Sequence, residues 1–209
     1  MVKHGPLVLM PMLLVTACIP SPAHRPKSVL PTSAAMKQCV GDLTHLKTRY
    51  TILPDQNFGG GCSAINAVLI QDIGVPISNT KAVQCPLARA LTLWLRETVQ
   101  SSARSNFASR VIKIESMGTY ACRNIIGGAS AKMSEHARAN AVDISGFILT
   151  NGRRITIEAG WQGAPDERRF LRDIHEGACR QFQTVLSPAY NAAHYNHFHF
   201  DMGRGPYCR

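Results

Sequence analysis

Eight histidines occur in this 209-residue chain, and four of them fall in two short segments. One segment reads Ser134-Glu135-His136-Ala137-Arg138-Ala139-Asn140-Ala141-Val142-Asp143, and the other His194-Tyr195-Asn196-His197-Phe198-His199-Phe200-Asp201. A catalytic zinc centre takes three donors from imidazole and carboxylate groups and leaves a fourth position to water. A His, an Asp and a distant His-x-His are therefore a sufficient donor set for Zn²⁺. In an extended strand residues i and i+2 share a face, so His197 and His199 should point together. A lone histidine is most often a packed or solvated side chain, whereas three within six residues favour a metal or acid/base site.

The two segments carry a resemblance. Ser134-x-His136-x-x-Ala139-x-Ala141-x-Asp143 followed by His197-x-His199 resembles the metal signature of zinc peptidases that cleave bacterial cell-wall peptides. That superfamily comprises D-alanyl-D-alanine carboxypeptidases and dipeptidases, penicillin-insensitive murein endopeptidases and lysostaphin-like enzymes. With Tyr120-Ala121-Cys122-Arg123 and Asn140-Ala141-Val142-Asp143-Ile144 added, the chain is more closely similar to the bacterial extensin-like C-terminal domain, roughly from Cys39 to Cys208. The superfamily motif usually has Gly where this chain has Ala139.

Carried over by position, the resemblance implies His136, Asp143 and His199 as zinc ligands, with His197 beside the bound water. The carboxypeptidase branch has a catalytic Glu three residues before its last ligand. Here that place is held by Asn196, which cannot act as a base at neutral pH, so replacing it with Ala should cost little. The murein-endopeptidase branch has histidines at the places of His194 and His197, and the chain leans towards that histidine-assisted chemistry. A neutral imidazole with a pKa near 6.5 can accept a proton from a water acidified by zinc. Arg123 corresponds loosely to an arginine that holds the substrate carboxylate or polarises the scissile carbonyl. Asp201 is an expected acceptor for a ligand imidazole. Glu135, His45 and His175 are expected to face water.

The N-terminus speaks to compartment. Lys3 precedes an apolar run from Leu7 to Ala17, which at 11 residues is far short of the roughly 20 that span a bilayer. Residues 1–17 read as a signal peptide ending Val15-Thr16-Ala17-Cys18, a pattern similar to a bacterial lipoprotein processing site. Cys18 would then be the lipidated first residue, holding the protein at a membrane in the periplasm, the outer one if the cell is Gram-negative. Residues 18–36 contain Pro20, Pro22, Pro26 and Pro31 among small polar residues and read as an extended tether.

Removing Cys18 from the seven cysteines leaves Cys39, Cys62, Cys85, Cys122, Cys179 and Cys208, an even set suited to three disulfides in an oxidising compartment. None is spaced C-x-x-C, which disfavours a cysteine zinc cluster or a thioredoxin-type redox pair. The sequence leaves the pairing open. A helix bearing Cys179 packed against the tail bearing Cys208 is one expectation.

Residues 37–209 must supply the elements that hold these groups, and they show one domain without repeats. A short helix is expected around Gly41 to Leu46, a strand from Arg49 to Leu53, a Gly59-Gly60-Gly61 turn, and strand-like stretches to Val83. Pro86 opens a helix whose stripe of Leu87, Leu91, Trp94, Leu95 and Val99 runs to about Ser102, with Trp94 in the core. Arg110 to Arg123 reads as strand then loop. Val142 to Leu149 turns at Asn151-Gly152 into Arg154 to Ala159. Asp166 begins a helix carried by Phe170, Ile174, Ala178, Phe182 and Leu186 up to Pro188. The His-x-His strand comes last. This order implies an α+β fold, a small antiparallel sheet flanked by helices and carrying the zinc site on one face.

The formal charge of +10 and pI near 9.6 would suit nucleic acid in a cytoplasmic protein, but the export signal removes that partner. The lysines and arginines are scattered, which suits apposition to wall or membrane. The expectation is a lipid-anchored zinc peptidase acting on peptidoglycan stem peptides or cross-links. The alternative is a wall-binding module in which the same pocket holds metal or stem peptide without turnover.

Overall fold

A computed structural model describes residue 1, residues 33–126 and residues 132–209. The signal peptide, Cys18 and the proline-rich tether up to residue 32 lie outside the described residues. Ser33 caps helix α1 (Ala34–His45), its side chain accepting from the Met36 amide, so ordered structure starts before the expected end of the tether. The capping serine and the apolar positions Met36, Cys39 and Leu43 explain that earlier start, since they bury one face against the domain.

Strands β1 (Arg49–Ile52), β4 (Ala67–Asp72) and β5 (Ala82–Gln84) form a three-stranded antiparallel sheet. Between the first two, β2 (Gln56–Gly59) and β3 (Cys62–Ala64) make a hairpin. Its turn is the glycine run, where Gly59, Gly60 and Gly61 all take positive φ.

Helix α2 (Cys85–Trp94) passes through a π-helical turn at Leu95–Val99 into α3 (Gln100–Phe107), five residues beyond the expected end near Ser102. The apolar stripe ends at Val99, but polar groups continue the burial. Gln100 clamps the edge of the next strand, donating to the Val111 carbonyl at 2.8 Å and accepting from its amide at 3.2 Å.

The main sheet has the order β11-β9-β10-β7-β6, with β8 beside the far end of β7. Its strands are β6 (Val111–Gly118), β7 (Ala141–Leu149), β8 (Arg154–Thr156), β9 (Thr184–Leu186), β10 (Phe198–Asp201) and β11 (Tyr207–Cys208). All pairings are antiparallel except β11 with β9. The expected strand at Arg154 to Ala159 is shorter, because Thr156 caps a helical turn α4 (Ile157–Gly160). The last long helix, α5 (Pro165–Gln181), also stops early. Phe182 and Leu186 prolong its apolar spacing, but Phe182 is extended and β9 pairs with β10, a long-range choice that periodicity cannot register.

The core fills the space between this sheet and helices α2 and α5. Trp94 is fully buried, donates its indole N–H to the Ile174 carbonyl at 2.8 Å, and packs on Phe147, Phe182 and Phe200. Phe198 and Phe200 of β10 face this core, which leaves His197, His199 and Asp201 on the opposite face. Three disulfides join Cys39 to Cys85, Cys62 to Cys122 and Cys179 to Cys208. The last is the pairing expected from α5 packing on the tail. The domain is thus α+β, with small antiparallel sheets, helices and three bridges. Among the described residues, no helix is long and apolar enough to cross a membrane.

Candidate metal centre

Asp143 and His199 become neighbours through strand register. They are directly opposed in the β7–β10 pair, both on the face away from the aromatic core. His136 arrives from a 3₁₀ turn, Glu135–Arg138, whose flanking residues explain its motif. Ser134 caps the turn by accepting from the His136 amide, and Ala139 ends it in the left-handed conformation, φ 56° and ψ 27°. This is the place where the resembled motif has Gly. Gln84 holds the same turn, its amide donating to the Ala139 carbonyl and its side chain to that of Arg138.

Glu135 does not simply face water. Its carboxylate accepts from Asn140 Nδ2 at 2.7 Å and from Arg138 at 3.2 Å, which fastens the turn to the start of β7.

His136 Nε2 lies 3.1 Å from Asp143 Oδ1 and 3.2 Å from His199 Nδ1, and His199 Nδ1 lies 2.9 Å from Asp143 Oδ1. Three donors at the corners of a near-equilateral triangle fit a zinc ion. Ligands about 2.0–2.1 Å from a tetrahedral metal stand about 3.3 Å from one another. The outer nitrogens fit as well. His136 Nδ1 faces the Thr119 carbonyl at 3.3 Å, and His199 Nε2 faces Asp201 Oδ2 at 3.0 Å. Such partners fix which ring nitrogen is left to the metal, and a carboxylate partner raises the basicity of the ligand. The expected role of Asp201 as acceptor for a ligand imidazole matches this contact. Thr119, acting through its backbone, has no signature in the sequence.

The charges are strongly coupled. Burial pushes the Asp143 carboxyl up, but hydrogen bonds to His136 and His199 outweigh it and hold the group far below the usual carboxylate range. Burial likewise opposes charge on His199, yet its bonds to Asp143 and Asp201 carry it up to about 9 in the metal-free site.

His197 and His194 stand beside the triad, not in it. His197 Nε2 is 3.7 Å from Asp143 Oδ1, and its Nδ1 contacts Asn196 Oδ1 at 2.9 Å. Burial keeps the His197 imidazole below its ordinary pKa, hence neutral at pH 7. His194 ends a short 3₁₀ turn (Ala192–His194), with its ring centroid 5.0 Å from that of His197 and 6.1 Å from that of His199. Burial, then the nearby His197 and His199, push it down to about 4. Arg123 is half-buried, and its positive charge is felt at both His194 and His197, so it borders the same cleft. The expectation that Asn196 is inert is corrected by its bond to His197.

His175 is not a surface residue either. It is half-buried on α5 between Trp161 and Phe198, with Nε2 3.2 Å from the Arg209 carbonyl. It groups with Cys179 and Cys208, but those sulfurs are joined to each other and offer no thiolate.

Residues 37–209 match the family model described as extensin-like protein C-terminus. No curated protein and no solved structure matches the chain.

Proposed function

The chain belongs to the extensin-like protein C-terminus family, and we propose that its domain is a zinc-dependent peptidase that hydrolyses peptide bonds of peptidoglycan stems or cross-links. The observation that supports this reading most directly is the convergence of His136 Nε2, Asp143 Oδ1 and His199 Nδ1 to within 2.9–3.2 Å. The similarity of the motif to wall-peptide zinc peptidases supplies the substrate class.

Zn²⁺ held there would polarise a scissile carbonyl and acidify a water in its open position. His197, neutral and next to Asp143, accepts the proton in this scheme and returns it to the leaving amine. His194, packed on His197, keeps that ring in place and can pass the proton outward. Arg123 receives a substrate carboxylate or the carbonyl oxygen at the border of the cleft. In the same reading the mature chain begins at a lipidated Cys18 and works in the periplasm, tethered to a membrane by its proline-rich segment.

The test is mass spectrometry of muropeptides after incubation with the zinc-loaded soluble domain. New cleaved stems are expected in wild type and absent in His199→Ala, whose zinc content by elemental analysis should fall sharply. His197→Ala should keep its zinc and lose on the order of 10² to 10⁴-fold in rate. Murein left intact under every metal condition would turn the reading to a wall-binding module. For the anchor, intact mass should show fatty acid on Cys18, and an unmodified, freely soluble wild-type protein would remove that part.

A further inference from the structure

We propose that Asn191 and Asn196 are positioning residues, each pinning one non-ligand histidine with its proton on Nδ1 so that Nε2 is the nitrogen offered to the cleft. The inference rests on the peptidase reading for its catalytic meaning, but not for its geometry.

Asn191 Oδ1 lies 2.7 Å from His194 Nδ1 and also accepts from the Ala193 amide at 3.0 Å. A backbone N–H can only donate, so the atom facing it must be the amide oxygen, and the Asn191 orientation is settled. His194 Nδ1 must then carry the hydrogen. Asn196 Oδ1 stands 2.9 Å from His197 Nδ1 in the same relation, while His197 Nε2 is turned towards Asp143 at 3.7 Å. Of four histidines around one cleft, the two in the donor triad have their outer nitrogens on a backbone carbonyl and a carboxylate. The two outside it have theirs on carboxamides.

An amide oxygen accepts a hydrogen bond but cannot take the proton. It therefore fixes the tautomer and the ring plane of a neutral imidazole without adding a charge beside the metal donors. Asn196 thus fills the place of a carboxylate in the resembled carboxypeptidases with a different task. It aims the base instead of being one.

The test reads ¹⁵N shifts of the imidazole rings, in which protonated and bare nitrogens are well separated, on the folded domain with and without Zn²⁺. Wild type should show His194 and His197 with the hydrogen on Nδ1. In Asn196→Ala the His197 signals should move towards a mixture of tautomers with His194 unchanged, and Asn191→Ala should do the converse. Asn196→Asp, which keeps the acceptor, should restore the Nδ1–H form. Where turnover on murein is measurable, Asn196→Ala should lower kcat about 10-fold with KM little changed, in the range typical of groups behind a metal site. A hydrogen on Nε2 in wild type, or an Nδ1–H form that persists in both Ala variants, would overturn the proposal. A pinned tautomer released by Asn196→Ala supports it even if murein is never cleaved, in which case only the peptidase reading falls.

Discussion

Ala139 sits where a side chain is least welcome and yet contributes to the core. Its left-handed backbone costs an L-residue roughly 1–2 kcal/mol, which glycine would not incur. Its methyl group is fully buried against Ala64 and Ala67, and one buried methyl is worth about 0.8 kcal/mol. Glycine would also loosen the unfolded chain by about 0.4–1 kcal/mol. These effects nearly cancel, so Ala139→Gly should change stability by less than about 1 kcal/mol. Ala139→Val should lose more than about 2 kcal/mol, because a β-branched residue fits neither the conformation nor the space. Urea midpoints of the two variants decide this, and a Val variant as stable as wild type would mean that the turn is not held as described. The identity of the donor residues was legible at this scale because metal chemistry restricts residue type. The contacts made by Thr119, Asn191 and Asn196 were not, since carbonyls and amides occur everywhere in a chain.

Helix α5 meets the α2–α3 helix at a point where only glycine fits. A Cβ built on Gly177 would stand 2.8 Å from Thr98 Cβ, closer than real contacts allow. Overpacking of this kind costs about 1–3 kcal/mol, against a gain of about 1 kcal/mol from better helix propensity. Gly177→Ala should therefore be neutral to about 2 kcal/mol less stable by chemical denaturation. A more stable variant would show that the helices can part freely. Two residues earlier on the same helix, His175 gives the domain a pH dependence outside the metal cluster. Burial between Trp161 and Phe198 lowers its pKa below the ordinary 6.5, so the unfolded chain binds the proton more readily than the folded one. Its neutral form contributes stability above pH 6.5, and that contribution is lost as pH falls from there towards the folded pKa. Melting temperatures between pH 7.5 and 5 should drop more steeply in wild type than in His175→Gln. Parallel curves would remove His175 from the account.

Across the whole molecule, the Cys62–Cys122 bridge ties the β2–β3 hairpin to the loop that carries Thr119 and Arg123, closing a sequence separation of 60. Closing a loop of that length restricts the unfolded chain by about 4 kcal/mol in the chain-entropy treatment. Joint replacement of Cys62 and Cys122 by Ser should therefore lower unfolding free energy by up to about 4 kcal/mol. It should also weaken zinc retention, since the His136 turn packs on β3. A loss below 1 kcal/mol with zinc intact would show that packing alone holds this side of the site. The sequence by itself determined the donor residues, the oxidised cysteine set, the burial of Trp94 and the alternation that puts Phe198 and Phe200 opposite His197 and His199. Each of these follows from residue type or from a local period of 2 or 3.6. Tertiary structure alone decided that Asp143 pairs with His199, that Phe182 leaves the helix for a strand approach, which cysteines join, and that Asn196 serves His197. Those outcomes depend on which distant segments pair, and a period read along one segment carries no information about its partner.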